Sequence, residues 1–142
     1  ELSERPGAGI VAVIDTHVLI WYLTSKELLS VGLREFLEKA AITDGAKIAV
    51  STITLVEMQY LVDKGRIKSS HLLLVRDHLA NEESLFLPVP LDLTVADSLG
   101  KVSMQEVPDM PDRIIAATGV AYGVPVLTRD EWIKRSSVET IS

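Results

Sequence analysis

Four acidic residues stand where the chain passes from one predicted element to the next: Asp15, Glu57, Asp112 and Asp130. Two unit negative charges about 4 Å apart repel each other by roughly 1 kcal/mol in water and by roughly 4 kcal/mol at an effective dielectric constant near 20. Several such pairs in one pocket are therefore unfavourable unless a cation lies between them. Because Mg²⁺ and Mn²⁺ prefer carboxylate and water oxygens, the four acids predict a site for one of these ions.

A divalent ion held by carboxylates can hydrolyse a phosphodiester. It lowers the pKa of a bound water, orients that water and stabilises the leaving oxygen, so no histidine or serine nucleophile is required. The chain has no cysteine, which excludes disulfides, zinc–thiolate sites and thiol nucleophiles. The acids therefore predict a metal-dependent hydrolase.

Each acid also has a structural alternative. Asp15 and Asp130 could each cap a following helix, because an aspartate in that position accepts hydrogen bonds from free backbone N–H groups. Glu57 completes Thr54-x-x-Glu57, the pattern of a capping box. Asp112 stands in a predicted first turn, where any acid complements the helix dipole. The joint placement of the four acids, rather than any one of them, favours the metal site.

The elements that must position these acids alternate between apolar runs and segments with helical spacing. We predict strands over residues 9–14, 48–50, 85–89, 124–127 and 138–141. We predict helices over residues 18–23, 33–41, 54–62, 69–79, 93–102 and 112–122. Strands that alternate with helices form a mostly parallel sheet with helices on both faces. The expectation is a three-layer α/β/α domain over residues 10–142, preceded by a flexible tail over residues 1–9.

Ligands of such sheets bind beyond the carboxyl ends of the strands. Asp15 and Asp130 follow the first and fourth predicted strands. Glu57 and Asp112 lie in the predicted first turns of the helices after the second strand and before the fourth. The four side chains are therefore expected in one pocket at this edge of the sheet.

Four segments of the chain carry a resemblance to a known family. They are Val13-Ile-Asp-Thr-His-Val-Leu-Ile-Trp21, Ser51-Thr-Ile-Thr-Leu-Val-Glu57, Pro111-Asp-Arg-Ile-Ile-Ala-Ala-Thr118 and Val124-Pro-Val-Leu-Thr-Arg-Asp130. In series they resemble the PIN domain, and most closely the VapC-like toxins of bacterial and archaeal toxin–antitoxin pairs. The resemblance implies Mg²⁺- or Mn²⁺-dependent endonucleolytic cleavage of RNA by a homodimer. It also implies a cognate antitoxin, whose C-terminal segment silences the enzyme in or near the acidic pocket.

The resemblance also implies a role for each site residue. The acid of the family's D-[ST]-x motif, its helix-borne glutamate and the acids of its D-R-x-I-A-A and T-x-D motifs correspond in that order to Asp15, Glu57, Asp112 and Asp130. These four are the implied metal ligands. The family's accessory hydroxyl corresponds to Thr128, and Thr16 is expected to orient water or ligands beside it. Asp109 lies where many relatives have an additional acid.

The charge balance argues against an extended basic surface for RNA. The chain has 14 Lys and Arg against 20 Asp and Glu, a formal net charge of −6, whereas phosphate binding usually requires a basic face. A functional carboxylate cluster lowers the net charge by itself, and bound divalent ions reverse the local sign. Arg113 and Arg129 flank two of the acids, where each could contact RNA phosphates or pair with a carboxylate.

Two other classes of function are alternatives. The first is a protein that is phosphorylated on an aspartate, either a phosphatase or a receiver domain. A phosphatase that forms an aspartyl phosphate needs Asp-x-Asp, where this chain has Asp15-Thr-His17. A receiver domain needs an acceptor aspartate after the third strand, which here ends in Pro88-Val-Pro90. The second alternative is a non-catalytic RNA-binding or scaffold protein that retains the PIN fold, which the presence of all four acids disfavours.

Neither a membrane segment nor a signal peptide is predicted. No apolar run reaches the roughly 18 residues that cross a bilayer. The N-terminus lacks the basic and apolar regions of a signal peptide. We therefore expect a cytoplasmic protein without a membrane partner.

Overall fold

The structure, a computed structural model, describes residues 9–142. Its strands are β1 (Ile10–Ile14), β2 (Lys47–Ser51), β3 (Phe86–Val89), β4 (Val126–Leu127) and β5 (Thr140–Ile141). Its α-helices are α1 (Thr16–Thr24), α2 (Val31–Ala41), α3 (Ile53–Asp63), α4 (Ser69–Ala80), α5 (Leu93–Ser98), α6 (Met110–Tyr122) and α7 (Glu131–Arg135). The predicted tail, residues 1–9, lies outside the described residues except for Gly9.

These strands form one sheet in the order β3-β2-β1-β4-β5. Every neighbouring pair is parallel, with Val13 opposite Val126 between β1 and β4 and Ile48 opposite Phe86 between β2 and β3. From β1 the chain builds β2 and β3 on one side and later returns to build β4 and β5 on the other. A crevice therefore opens beyond the carboxyl ends of β1 and β4, where the direction of winding reverses.

Helices cover both faces of the sheet, and each face has its own apolar core. Ile14 of β1 shares one core with Leu33 of α2. Val13, the preceding residue, shares the other with Ala116 of α6 and Ile133 of α7. Since both faces are buried, the strands are continuous apolar runs rather than alternating ones. The predicted three-layer α/β/α class with a parallel sheet is confirmed.

Element boundaries depend on local caps more than on apolar spacing. Helix α2 begins at Val31, two residues before its predicted start, because the Ser30 hydroxyl oxygen accepts from the Leu33 N–H at 3.1 Å. The helix predicted over residues 93–102 is an α-helix only to Ser98, and a 3₁₀ turn, Leu99–Lys101, continues it. Within the described residues, no helix has the length and the apolar character that crossing a membrane requires.

Helix α6 packs closely against β4. Pro111 lies in its first turn, and Gly123 ends it with a φ of 67°, which is the usual placement of these two residue types at helix ends. A Cβ at Gly119 would lie 2.7 Å from Cγ2 of Val126, so the absence of a side chain lets the helix approach the strand. This contact fixes the distance between the helix that carries Asp112 and the strand that precedes Asp130.

Candidate active site

A pocket of about 230 Å³ lies at the carboxyl edge of the sheet and is lined by Asp15, His17, Val18, Trp21, Glu57, Asp112, Arg129 and Asp130. The four acids reach it from the end of β1, from α3, from α6 and from the loop after β4. The sheet topology therefore brings all four predicted acids to one pocket. Their role as metal ligands stays a prediction.

Asp15 is both a helix cap and a wall of the pocket. Its side chain is buried, with 5% of its surface exposed. Its Oδ1 accepts from the backbone N–H of Thr16 at 2.7 Å, and its Oδ2 accepts from the hydroxyl of Thr128 at 2.6 Å. Capping and a functional role are therefore compatible, because the two oxygens have different partners.

Thr128 links the first acid to the last. Its hydroxyl donates to Asp15 and accepts from the backbone N–H of Asp130 at 2.9 Å. Asp130 in turn caps α7, with Oδ1 accepting from the N–H of Ile133 at 3.0 Å. Asp130 thus has the structural role that was considered for it, and it lines the pocket as well.

Glu57 has no capping role. Helix α3 begins at Ile53, so Glu57 lies in its second turn, and the prediction of a first-turn position was wrong. The capping box is also wrong, because the Thr54 hydroxyl lies 3.0 Å from the hydroxyl of Thr16 instead. The Oε1 atom of Glu57 is buried and has no hydrogen-bond partner among the described residues. A buried carboxylate oxygen without a partner is unfavourable unless a ligand supplies one.

Asp112 lies in the first turn of α6, as predicted. Burial, followed by the charges of Asp15 and Asp130, raises its pKa to about 8. Asp109 is the cap of this helix, with Oδ2 3.5 Å from the Asp112 N–H donor, and it does not line the acidic pocket. Burial and the neighbouring carboxylates therefore both oppose the charge of Asp112.

Burial also raises the pKa of the other two enclosed acids. For Asp15 the hydrogen bond from Thr128 works against this rise. For Glu57 the Asp15 carboxylate adds to the rise, while the Thr16 hydroxyl opposes it. A negative pocket with enclosed oxygens is the environment in which a cation relieves repulsion.

The donor set fits a hard divalent ion in its chemistry, since it consists of carboxylate oxygens and one of them lacks a partner. Among residues 9–142, however, no three His, Asp or Glu side chains are gathered closely enough to hold an ion. The acids therefore share a pocket without forming a closed set of ligands.

The two arginines beside the acids differ in their contacts. Arg113 donates from Nε to the carbonyl of Val102 at 2.8 Å and from a terminal nitrogen to the carbonyl of Leu99 at 3.1 Å. It therefore holds the turn after α5 rather than a carboxylate. Arg129 is exposed on the pocket wall, and no ion pair joins it to an acid within the described residues. Neither arginine therefore pairs with a carboxylate, which was one of the two predicted roles.

Sequence reasoning assigned no site role to His17, Trp21 or Thr54. His17 and Trp21 lie on α1 soon after Asp15 and are four residues apart, so they share one face of the helix, and that spacing was the signal that could have found them. They also line a second pocket of about 460 Å³, which adjoins the first and includes Tyr60 and Arg66. Thr54 is detectable only through its contact with Thr16, which lies 38 residues away.

A further pocket of about 460 Å³ lies at the opposite edge of the sheet, between residues 41–47 and 82–85. Its acidic side chains, Asp44, Glu82 and Glu83, are all exposed. No enclosed charge there calls for a ligand, so volume alone does not make it a candidate site.

Comparison with known proteins agrees with this fold. The family model of the PIN domain matches residues 12–138. The chain is similar in structure to VapBC2 from Rickettsia felis bound to a DNA fragment from its promoter, with a TM-score of 0.66 and 18% identity over 93% of this chain and 99% of that one. DNA-bound VapBC from Salmonella typhimurium gives a TM-score of 0.67 and 18% identity over 92% and 96% of the two chains.

A toxin–antitoxin complex from Klebsiella pneumoniae is also similar, with a TM-score of 0.61 and 21% identity over 92% of this chain and 96% of that one. At these identities the structural similarity shows the fold. No curated protein sequence matches the chain significantly.

Proposed function

Because the chain belongs to the PIN domain family, whose members are generally nucleases, we propose that it is a divalent-metal-dependent endoribonuclease that hydrolyses RNA phosphodiester bonds. One observation carries the proposal: acidic side chains from four separate elements line one pocket at the carboxyl edge of the sheet. No helix cap requires that convergence, whereas a metal-dependent nuclease does.

The four acids would hold Mg²⁺ or Mn²⁺. When bound, such an ion supplies an acidified water and stabilises charge on the leaving oxygen. The hydroxyl of Thr128 links the carboxylate of Asp15 to the backbone N–H of Asp130. Thr16 is close enough to Glu57 to affect its pKa, which suits the proposed orientation of water or ligands. Arg129, exposed at the rim, would contact an RNA phosphate.

We also propose that the protein is the toxin of a toxin–antitoxin pair, with a cognate antitoxin as partner and a homodimer as its assembly. The similar structures, which are VapBC and toxin–antitoxin complexes, support the toxin role and the antitoxin. The homodimer is proposed from the resemblance to VapC-like toxins. We further propose that the protein acts in the cytoplasm.

Cleavage of RNA with and without EDTA tests the function, with Asp15→Asn compared with the wild type. We expect metal-dependent cleavage by the wild type and a loss of at least about 100-fold in the variant, because even outer-shell changes at metal sites reduce affinity or activity 10–100-fold. Asp77→Asn, on the exposed surface of α4, is the matched control and should cleave normally.

Full activity of Asp15→Asn, or cleavage that EDTA leaves unchanged, would refute the mechanism. Stable RNA binding without cleavage in both Mg²⁺ and Mn²⁺ would favour the non-catalytic RNA-binding or scaffold alternative.

A further inference from the structure

We propose that Thr54 is a positioning residue of the acidic pocket, whose hydroxyl contact with Thr16 holds the helix that carries Glu57 against the helix that begins beside Asp15. The inference rests on the proposed function, because it assigns Thr54 to the metal site of the same nuclease. Thr54 itself does not line the acidic pocket.

The first observation is a buried contact between two helices. Thr16 and Thr54 are both 0% exposed, and their hydroxyl oxygens lie 3.0 Å apart. Thr16 follows Asp15 at the start of α1, and Thr54 lies three residues before Glu57 on α3. The hydroxyl pair therefore joins the helix that begins beside one proposed ligand to the helix that carries another.

The second observation is that both hydroxyls of this contact are enclosed. Either oxygen could be the donor, so each buried hydroxyl supplies the other with a partner. A buried hydroxyl without a partner is costly, and removal of one of the two therefore weakens the contact between α1 and α3.

Glu57 lies three residues after Thr54, so the two side chains share one face of α3. The Oε1 atom of Glu57 is buried and has no hydrogen-bond partner among the described residues. The Thr16 hydroxyl also acts to lower the pKa of Glu57 against the effect of burial. The contact between Thr16 and Thr54 would thus hold the turn of α3 from which this oxygen can reach an ion.

Thr128 also connects two acids of the pocket through its hydroxyl. Its hydroxyl joins Asp15, which lies 113 residues earlier in the sequence, to the backbone of Asp130. Two hydroxyl braces would therefore set the spacing of three of the four acids, and outer-shell hydrogen bonds of this kind orient metal ligands.

Mn²⁺ binding by the metal-free protein, measured by calorimetry, tests the inference without relying on activity. Thr54→Val removes the hydroxyl and retains a branched side chain, so we expect it to weaken Mn²⁺ binding about 10-fold. Thr54→Ser restores the hydroxyl and should bind within about twofold of the wild type. Thr54→Ala tests the same loss should the valine variant fold poorly.

Thr118→Val is the matched control. Thr118 is also buried, at 1% exposure, but its hydroxyl donates within α6 to the carbonyl of Ile114 at 2.7 Å. We expect this variant to lose stability like Thr54→Val and to bind Mn²⁺ normally. Equal weakening in the two variants would show a general effect of destabilisation and would overturn the inference.

A double-mutant cycle tests whether Thr54 acts through Thr16. On a Thr16→Val background, Thr54→Val should weaken Mn²⁺ binding no further. Additive losses would overturn the inference, as would wild-type Mn²⁺ affinity in Thr54→Val alone, and in both cases metal-dependent RNA cleavage by the wild type would leave the proposed function standing. A wild-type protein that neither binds Mn²⁺ nor cleaves RNA would overturn the proposed function, and the inference with it.

Discussion

Burial and neighbouring charges make the carboxyl group of Asp112 harder to ionise than that of an exposed aspartate. Its pKa rises from 3.8 to about 8, first because the carboxyl is buried and then because the other acids surround it. In the unfolded chain the same carboxyl ionises near its ordinary value. The folded state therefore binds more protons than the unfolded state between about pH 4 and pH 8, and stability falls as the pH rises through this window.

We expect Asp112→Asn to raise the unfolding temperature of the metal-free protein at pH 8. Asparagine cannot ionise, so it removes the repulsion that the raised pKa reports. About 1 kcal/mol after solvent screening corresponds to a gain of about 3 °C. Calorimetry in EDTA at pH 5 and pH 8 measures it, and the gain should be smaller at pH 5.

Asp77→Asn, which changes an exposed acid on α4, serves as the control and should show no such pH dependence. A wild-type protein that becomes more stable between pH 5 and pH 8 in EDTA would contradict the assignment of a raised pKa to Asp112.

At the scale of elements, the position of α6 against β4 determines how Asp112 faces the other acids. The helix and the strand approach closely at Gly119, where a Cβ would lie 2.7 Å from Val126 Cγ2 and 3.2 Å from the Val124 carbonyl oxygen. Arg113 fixes the same helix at its other end through the carbonyls of Leu99 and Val102. Both contacts lie outside the pocket, yet both govern its width.

Gly119→Ala should therefore destabilise the protein. Overpacking in a core costs about 1–3 kcal/mol, and the gain in helix propensity of about 1 kcal/mol offsets only part of it. We expect a net loss of up to about 2 kcal/mol in urea unfolding. Gly100→Ala is the matched control, since nothing lies within 4 Å of its added Cβ, and an equal loss there would refute the steric explanation.

At the scale of the whole molecule, strand order places the acids. In the order β3-β2-β1-β4-β5 the first strand is central, and the N–H of Asp15 donates to the carbonyl of Leu127 at 2.9 Å. The carboxyl ends of β1 and β4 thus lie side by side, although more than a hundred residues separate them in the sequence. Folding brings the negative charges together at this point, so a cation that binds there should stabilise the folded state.

We expect Mn²⁺ to stabilise the folded protein. An ion that binds only the folded state, present at about 100 times its dissociation constant, adds about 2.7 kcal/mol. Thermal unfolding at pH 8 should show this as a rise in the midpoint for the wild type and a much smaller rise for Asp15→Asn. NaCl of matched ionic strength is the control, and an equal rise with NaCl would mean that screening alone relieves the repulsion.

Local sequence patterns predict much of this fold. Apolar runs and helical spacing depend on neighbouring residues, and they predicted the parallel three-layer fold and the order of its main elements. The PIN resemblance, which the family match over residues 12–138 confirms, came from short motifs around each acid. The four acids were found because each lies near the end of a strand or early in a helix, although their roles as ligands stay predictions.

Contacts between distant elements could not be predicted in this way. Nothing near Thr54 indicates that its hydroxyl meets Thr16 rather than capping its own helix, and nothing near Arg113 indicates that it binds the turn after α5. The pKa of Asp112 likewise depends on carboxylates from three other segments. Such properties arise from distances of a few ångströms between packed helices and strands, and residues far apart in the chain acquire those distances only when the sheet has formed.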